Sequence, residues 1–133
     1  MKNKKILVTG GLGFIGSNLI KLLLSKKFYV INLDNKSYAS NIYNIKNYKK
    51  DKNYKFIKVD IKNKKKLIEL FKKYKPEGIF NLAASTHVDR SIENPKNFIN
   101  NNILATFNLL EAIRSYSKIN KNYKLVHVST DEI

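Results

Sequence analysis

The chain contains no cysteine, which excludes disulfides and thiol chemistry and fits a reducing cytosol. No apolar run approaches the ~18 residues of a membrane span. Met1-Lys-Asn-Lys-Lys leads into a strand-like segment and glycines, not into the apolar core of a signal peptide. These absences make a soluble cytoplasmic protein the expectation. Arginine is almost missing as well: of 26 basic residues, only Arg90 and Arg114 are Arg, against 10 acidic residues and a formal charge of +16. The residue that clamps phosphates in pairs and stacks on bases is therefore scarce, and the lysines are spread among many asparagines. That pattern argues for solvated faces, not a nucleic-acid surface, while the charge still favours anionic small molecules.

What is present is enough for one domain. At 133 residues a chain buries roughly two-thirds of its unfolded surface. Short apolar runs predict strands over residues 6–9, 28–33, 54–59, 78–82 and 124–129, with helical segments between them. Leu67, Leu70, Phe71 and Tyr74 recur at helical spacing and Pro76 ends that helix. A longer helix opens around Pro95 and carries Phe98, Ile99, Ala105, Leu109, Ala112, Ile113 and Tyr116. Residues 35–53 read as a polar connection rich in Asn, Tyr and Lys. Alternating strands and helices imply an α/β fold, a Rossmann-like doubly wound parallel sheet of order 3-2-1-4-5. The sequence stops before a sixth strand, which leaves an edge strand and an uncovered sheet face.

The N-terminal run Ile6-Leu7-Val8-Thr9-Gly10-Gly11-Leu12-Gly13-Phe14-Ile15-Gly16 predicts strand, tight turn and helix, with Ile15, Leu19, Leu22 and Leu23 on one helical face. Glycines permit the turn, let a pyrophosphate approach the main chain and let the helix pack close to the strand. The phosphates then meet free N–H groups at the positive end of the helix. Gly10, Gly13 and Gly16 fit one spacing, but Gly11-x-Gly13-x-x-Gly16 fits the commoner fingerprint too, so spacing leaves open which glycines do the work. Asp34 ends the second strand, close to the ~20 residues past the glycines at which an acid bonds a ribose 2′-hydroxyl. It would repel a 2′-phosphate, so NAD is favoured over NADP, and the flexible Lys36 nearby is no arginine clamp.

Three more strand ends converge on the same crevice. Val59-Asp60-Ile61 closes the third strand, where a carboxylate and a neighbouring backbone can meet an adenine edge. Asn81-Leu82-Ala83-Ala84-Ser85-Thr86-His87-Val88-Asp89-Arg90-Ser91 closes the fourth, and Val126-His127-Val128-Ser129-Thr130-Asp131-Glu132 the fifth. Asp89 and Arg90 read as a local ion pair. His87 and His127 have no companions at metal spacing, so packing or hydrogen bonding is expected of them and no metal is.

Along its whole length the chain resembles the extended short-chain dehydrogenase/reductases and, among them, the dTDP-glucose 4,6-dehydratase family. The Thr-Gly-Gly-x-Gly-Phe-Ile-Gly start is shared by the whole superfamily, whereas Ala-Ala-x-x-His-Val-Asp-Arg-Ser and Ser-Thr-Asp-Glu are much narrower. Epimerases and decarboxylases of this fold usually lack the Asp-Glu pair, and they remain the alternative reading beside a non-catalytic NAD-binding module. The resemblance implies a redox-neutral elimination: NAD takes hydride from the sugar C4, water leaves across C5 and C6, and the hydride returns to C6. By position it implies that Asp131 protonates the departing hydroxyl, Glu132 takes the C5 proton and Thr130 hydrogen-bonds the sugar. An acid and a base side by side need environments that separate their proton affinities. It further implies NAD contacts at Phe14, Ile15, Asp34, Asn35, Lys36, Ser37, Asp60, Ile61, Leu82, Ala83, Ala84 and Ser129, and a substrate contact to dTDP-glucose at Thr86.

Ser85 stands where the family has Glu and Asn101 where it has Thr, both at cofactor contacts, so the hydrogen-bonding groups there differ. Thr86 for Ser and Ser37 for Thr keep the hydroxyl. The family's Tyr-x-x-x-Lys pair belongs on the helix after the fifth strand, beyond Ile133, so the 133 residues alone are expected not to turn over. Two literal matches are rejected. Tyr54 and Lys58 fall on a predicted strand, ~13 Å apart where helix neighbours would be ~6 Å apart, and Tyr48 and Lys52 fall in the polar connection. The resemblance also implies a homodimer of the complete protein, formed through the helices after the fourth and fifth strands. The open fifth-strand edge motivates one more expectation, that the 133 residues in isolation are only partly folded.

Overall fold

The computed structural model describes residues 4–35, 46, 48–82, 96, 103–118 and 121–128. Its elements run β1 (Lys5–Thr9), α1 (Phe14–Ser25), β2 (Tyr29–Asp34), β3 (Tyr54–Lys58), α2 (Lys64–Tyr74), β4 (Gly78–Asn81), α3 (Ala105–Ser117) and β5 (Lys124–His127). The five strands pair in parallel in the order β3-β2-β1-β4-β5. Strand ends differ from the expected ones by a residue or two, and the topology is the expected one.

Side chains alternate across each strand and so feed two cores. On one face Leu7, Ile31, Leu33 and Ile79 pack beneath α2 and α3 with Leu67, Phe71, Leu109 and Tyr116. On the other, Ile6, Val8 and Val30 pack beneath α1 with Ile20, Leu23 and Leu24. Burying one such side chain is worth about 1.5–3 kcal/mol, so this double coverage accounts for strands that are nearly continuous in apolar residues. Tyr116 binds the first core together: fully buried, it tilts against Phe71 and Tyr123 with ring centroids 5.5 Å apart, and its hydroxyl donates to the Pro76 carbonyl at 3.3 Å.

α2 carries its own punctuation. The Asn63 side chain accepts the Lys66 N–H at 3.1 Å, Lys75 turns left-handed at φ 49°, and Pro76 follows. Lys72 and Lys73 lie in the last turn, where cations suit the helix dipole.

The expected apolar face of α1 is corrected. Ile15 and Leu22 are 65% and 52% exposed, while Gly16, Ser17, Ile20, Leu23 and Leu24 are buried. The helix is turned so that its smallest residues meet the glycine loop, and that close approach outweighs the burial of two larger apolar side chains. At the other side of the sheet β5 is an edge strand. Val126 and Val128, both on the α1 side, are exposed, as the uncovered face predicts.

Candidate functional site

The carboxyl ends of β1, β2 and β4 surround the Gly10–Gly16 loop, and each glycine there has a different physical task. Gly10 takes φ 74°, a left-handed conformation that strains other residues, and donates its N–H to the Leu33 carbonyl at 2.9 Å. A Cβ on Gly11 would lie 2.3 Å from Asn32 Oδ1, and one on Gly16 would lie 2.5 Å from the Gly10 carbonyl oxygen. A Cβ on Gly13 would meet nothing closer than 3.6 Å. Gly10, Gly11 and Gly16 are demanded by the fold and Gly13 is not, so the fold requires a glycine at the first position of both spacings. Gly13 caps α1, with no side-chain cap and no acid in the first turn, so the N–H groups of Phe14 and Ile15 are directed out of the helix end with no acceptor among the described residues. That is an anion-binding arrangement.

Asp34 lies at the end of β2, 6% exposed, and its Oδ2 accepts the Leu12 N–H at 3.2 Å. Asn35 beside it is exposed. The acid is therefore oriented by the loop that would carry the pyrophosphate, next to where a ribose would lie. Asp60 accepts the Lys62 N–H at 2.9 Å through Oδ1 and pairs with the Lys62 ammonium at 3.7 Å through Oδ2, which shapes the turn into α2. Ile61 is buried in the first core, so a cofactor contact from it would come from its backbone. Leu82 follows β4 and is half-buried, its N–H bonded to the Thr9 carbonyl at 3.1 Å. Phe14 and Ile15 are exposed at the mouth of the loop.

Lys36, Ser37, Ala83, Ala84, Ser85, Thr86, His87, Asp89, Arg90, Asn101, Ser129, Thr130, Asp131 and Glu132 lie outside the described residues. Tyr54 and Lys58 both fall on β3, and the Tyr54 hydroxyl accepts from Asn32, so that pair has the strand geometry for which it was rejected.

The sequence reading missed Asn32. Buried within β2, it accepts the Gly11 N–H at 3.0 Å through Oδ1 and donates from Nδ2 to the Tyr54 hydroxyl at 3.1 Å. A buried Asn in the middle of Tyr-Val-Ile-Asn-Leu-Asp was the available signal, because a strand covered on both faces tolerates a polar side chain only when it is bonded. No metal-binding group of three His, Cys, Asp or Glu occurs among the described residues, and no described helix is long and apolar enough to cross a membrane.

The family model described as GDP-mannose 4,6 dehydratase matches residues 7–133. The chain belongs to that family. A curated relative from Sinorhizobium fredii, named a probable dTDP-glucose 4,6-dehydratase, is 41% identical over 97% of this chain and 38% of its own length. The crystal structure of dTDP-glucose 4,6-dehydratase from Bacillus anthracis in complex with NAD is 37% identical, with a TM-score of 0.80 over 98% of this chain and 38% of that one. UDP-glucose 4-epimerase from Thermotoga maritima, solved with UDP-glucose, is 32% identical with a TM-score of 0.80 over 95% of this chain and 38% of that one. The chain thus spans about 38% of the length of these three proteins. Shape alone does not separate dehydratase from epimerase.

Proposed function

We propose that the chain is the NAD-binding, N-terminal part of a dTDP-glucose 4,6-dehydratase. The observation that carries the cofactor reading is the pairing of an uncapped α1 N-terminus at Gly13 with an Asp34 carboxylate held beside it by Leu12. The residues present fit NAD: main-chain N–H donors for the pyrophosphate, an oriented acid for the ribose, and room at Gly13 for close approach. When bound, NAD supplies a hydride acceptor and donor to the sugar. Similarity to dehydratases, together with Thr130, Asp131 and Glu132 directly after the fifth strand, supports dehydration over epimerisation. In this reading Asp131 protonates the departing C6 hydroxyl, Glu132 removes the C5 proton, and Thr130 and Thr86 bond the sugar nucleotide. Lys36, Ser37, Asp60, Leu82, Ala83, Ala84, Ser85, Asn101 and Ser129 complete the cofactor contacts. The remaining assignments are a cytoplasmic place in nucleotide-sugar metabolism, no nucleic-acid or membrane partner, and one domain over residues 1–133 that further chain completes.

A homodimer of the complete protein is part of the same proposal. Ile103, Leu104, Phe107 and Leu110 form an exposed apolar stripe along and just before α3, the helix after β4.

The deciding experiment reads the coding frame past Ile133 and assays the encoded protein. A Tyr-x-x-x-Lys helix downstream, with dTDP-glucose converted to its 4-keto-6-deoxy product and water, is the expected outcome. Consumption of a different sugar nucleotide without loss of water would make it an epimerase, and NAD binding without an essential Tyr and Lys would leave a binding module. Turnover by the 133 residues alone would refute the assignment of chemistry to the missing pair.

A further inference from the structure

Three polar side chains share one cross-strand layer at the carboxyl ends of β1, β4 and β5. Thr9 lies opposite Asn81, and Asn81 opposite His127. The order of donors along this row is set by its shortest contact, between Thr9 and Asn81. The Leu82 backbone N–H can only donate, and besides its bond to the Thr9 carbonyl it approaches Thr9 Oγ1 at 3.2 Å. Thr9 Oγ1 then gives its hydrogen to Asn81 Oδ1, 2.6 Å away. That length belongs to an O–H···O bond and is shorter than the ~2.7–3.2 Å of N–H···O. The amide oxygen of Asn81 therefore faces Thr9, and its nitrogen faces His127 Nδ1 at 2.9 Å. An amide nitrogen offers only hydrogens, so Nδ1 meets it as a bare acceptor and the ring proton belongs on Nε2.

We propose that Thr9 and Asn81 are positioning residues that hold His127 as its neutral Nε2–H tautomer and so pin the carboxyl end of β5 to the sheet. The Val128 N–H bond to the Asn81 carbonyl at 3.1 Å fastens the same point through the backbone. The chain continues from there directly into Ser129, Thr130, Asp131 and Glu132. His127 is thus the last side-chain anchor before the segment in which the acid and base of the proposed reaction lie. The tautomer follows from hydrogen bonding alone and holds whether or not that reaction is the right one.

Long-range proton–nitrogen NMR correlation on the complete protein, at a pH where a free imidazole is neutral, tests this directly. His127→Gln identifies the His127 signals by their loss. The expected spectrum shows His127 with a protonated Nε2 and a bare Nδ1. An Nδ1–H ring, or the averaged pattern of a freely exchanging one, overturns the proposal. Asn81→Asp replaces the donor facing His127 by an acceptor, and a proton on Nδ1 is the expected result; an unchanged Nε2–H tautomer with a bare Nδ1 overturns the proposal. Thr9→Ser keeps the hydroxyl and is expected to keep the tautomer, whereas Thr9→Val is expected to lose it. Should Thr9→Val fail to fold, the wild-type and Asn81→Asp spectra still decide.

Discussion

Asp34 Oδ2 accepts the backbone N–H of Leu12 at 3.2 Å, which ties the end of β2 to the middle of the glycine loop. One carboxylate thus has two tasks, shaping the loop and, in the proposed function, reading the ribose. NAD should bind the complete protein at least about tenfold more tightly than NADP, equivalent to ~1.4 kcal/mol. Asp34→Ala should weaken NAD binding and erase the preference. Calorimetric titration with each nucleotide checks this, and equal affinities in the wild-type chain would remove the assignment of Asp34 to the ribose.

The glycines separate fold from ligand. Gly16→Ala forces a methyl to 2.5 Å from the Gly10 carbonyl oxygen and should cost about 1–3 kcal/mol, as overpacking does. Gly13→Ala, with 3.6 Å to its nearest neighbour, should unfold at the wild-type temperature yet bind NAD poorly. Thermal melts with and without NAD distinguish them, and a Gly13→Ala variant that binds normally would place the pyrophosphate elsewhere.

Asn32→Leu should destabilise the chain by about 1–3 kcal/mol, because Gly11 loses the acceptor for a buried N–H. NAD affinity should fall with it, since the same bond sets the loop. Urea unfolding compared with nucleotide titration reads both effects; a variant as stable as wild type would mean that the loop finds another acceptor.

Phe107, 58% exposed in the middle of the α3 stripe, tests the proposed dimer. In the complete protein Phe107→Glu should shift sedimentation from dimer to monomer without altering the far-ultraviolet spectrum. An unchanged oligomeric state would move the interface off α3.

Much of the architecture was legible because parallel strands buried on both faces write themselves as apolar runs, and because Pro76 and the Leu67–Tyr74 period mark α2 so plainly. The orientation of α1 was not legible. Periodicity favours Ile15 and Leu22 as core, and only the contact between Gly16 and Gly10 shows why small residues take that face. A lone Asn in an apolar strand signals a bonded side chain, but the partners of Asn32 were hidden, since they are 21 and 22 residues away along the chain. The place of Asp34 at the end of β2, beside the glycine loop, was legible because its distance from the glycines is a chain-length property of a strand–helix–strand unit. The Asp131-Glu132 pair could be named only through resemblance, because two adjacent acids carry no signal of their own.

The two borders of the sheet are unlike in how they face other molecules. β3 presents Lys55 and Lys58 to solvent, a charged guard against pairing with a second sheet, whereas Val126 and Val128 are exposed at β5, the other outermost strand among the described residues. Clumping of the isolated polypeptide would therefore be directional, joining β5 to β5 and sparing β3. Mutual repulsion from a formal charge of +16 would hold such pairs apart in dilute buffer, and added salt, by shortening its range to ~10 Å at 0.1 M, would let them form.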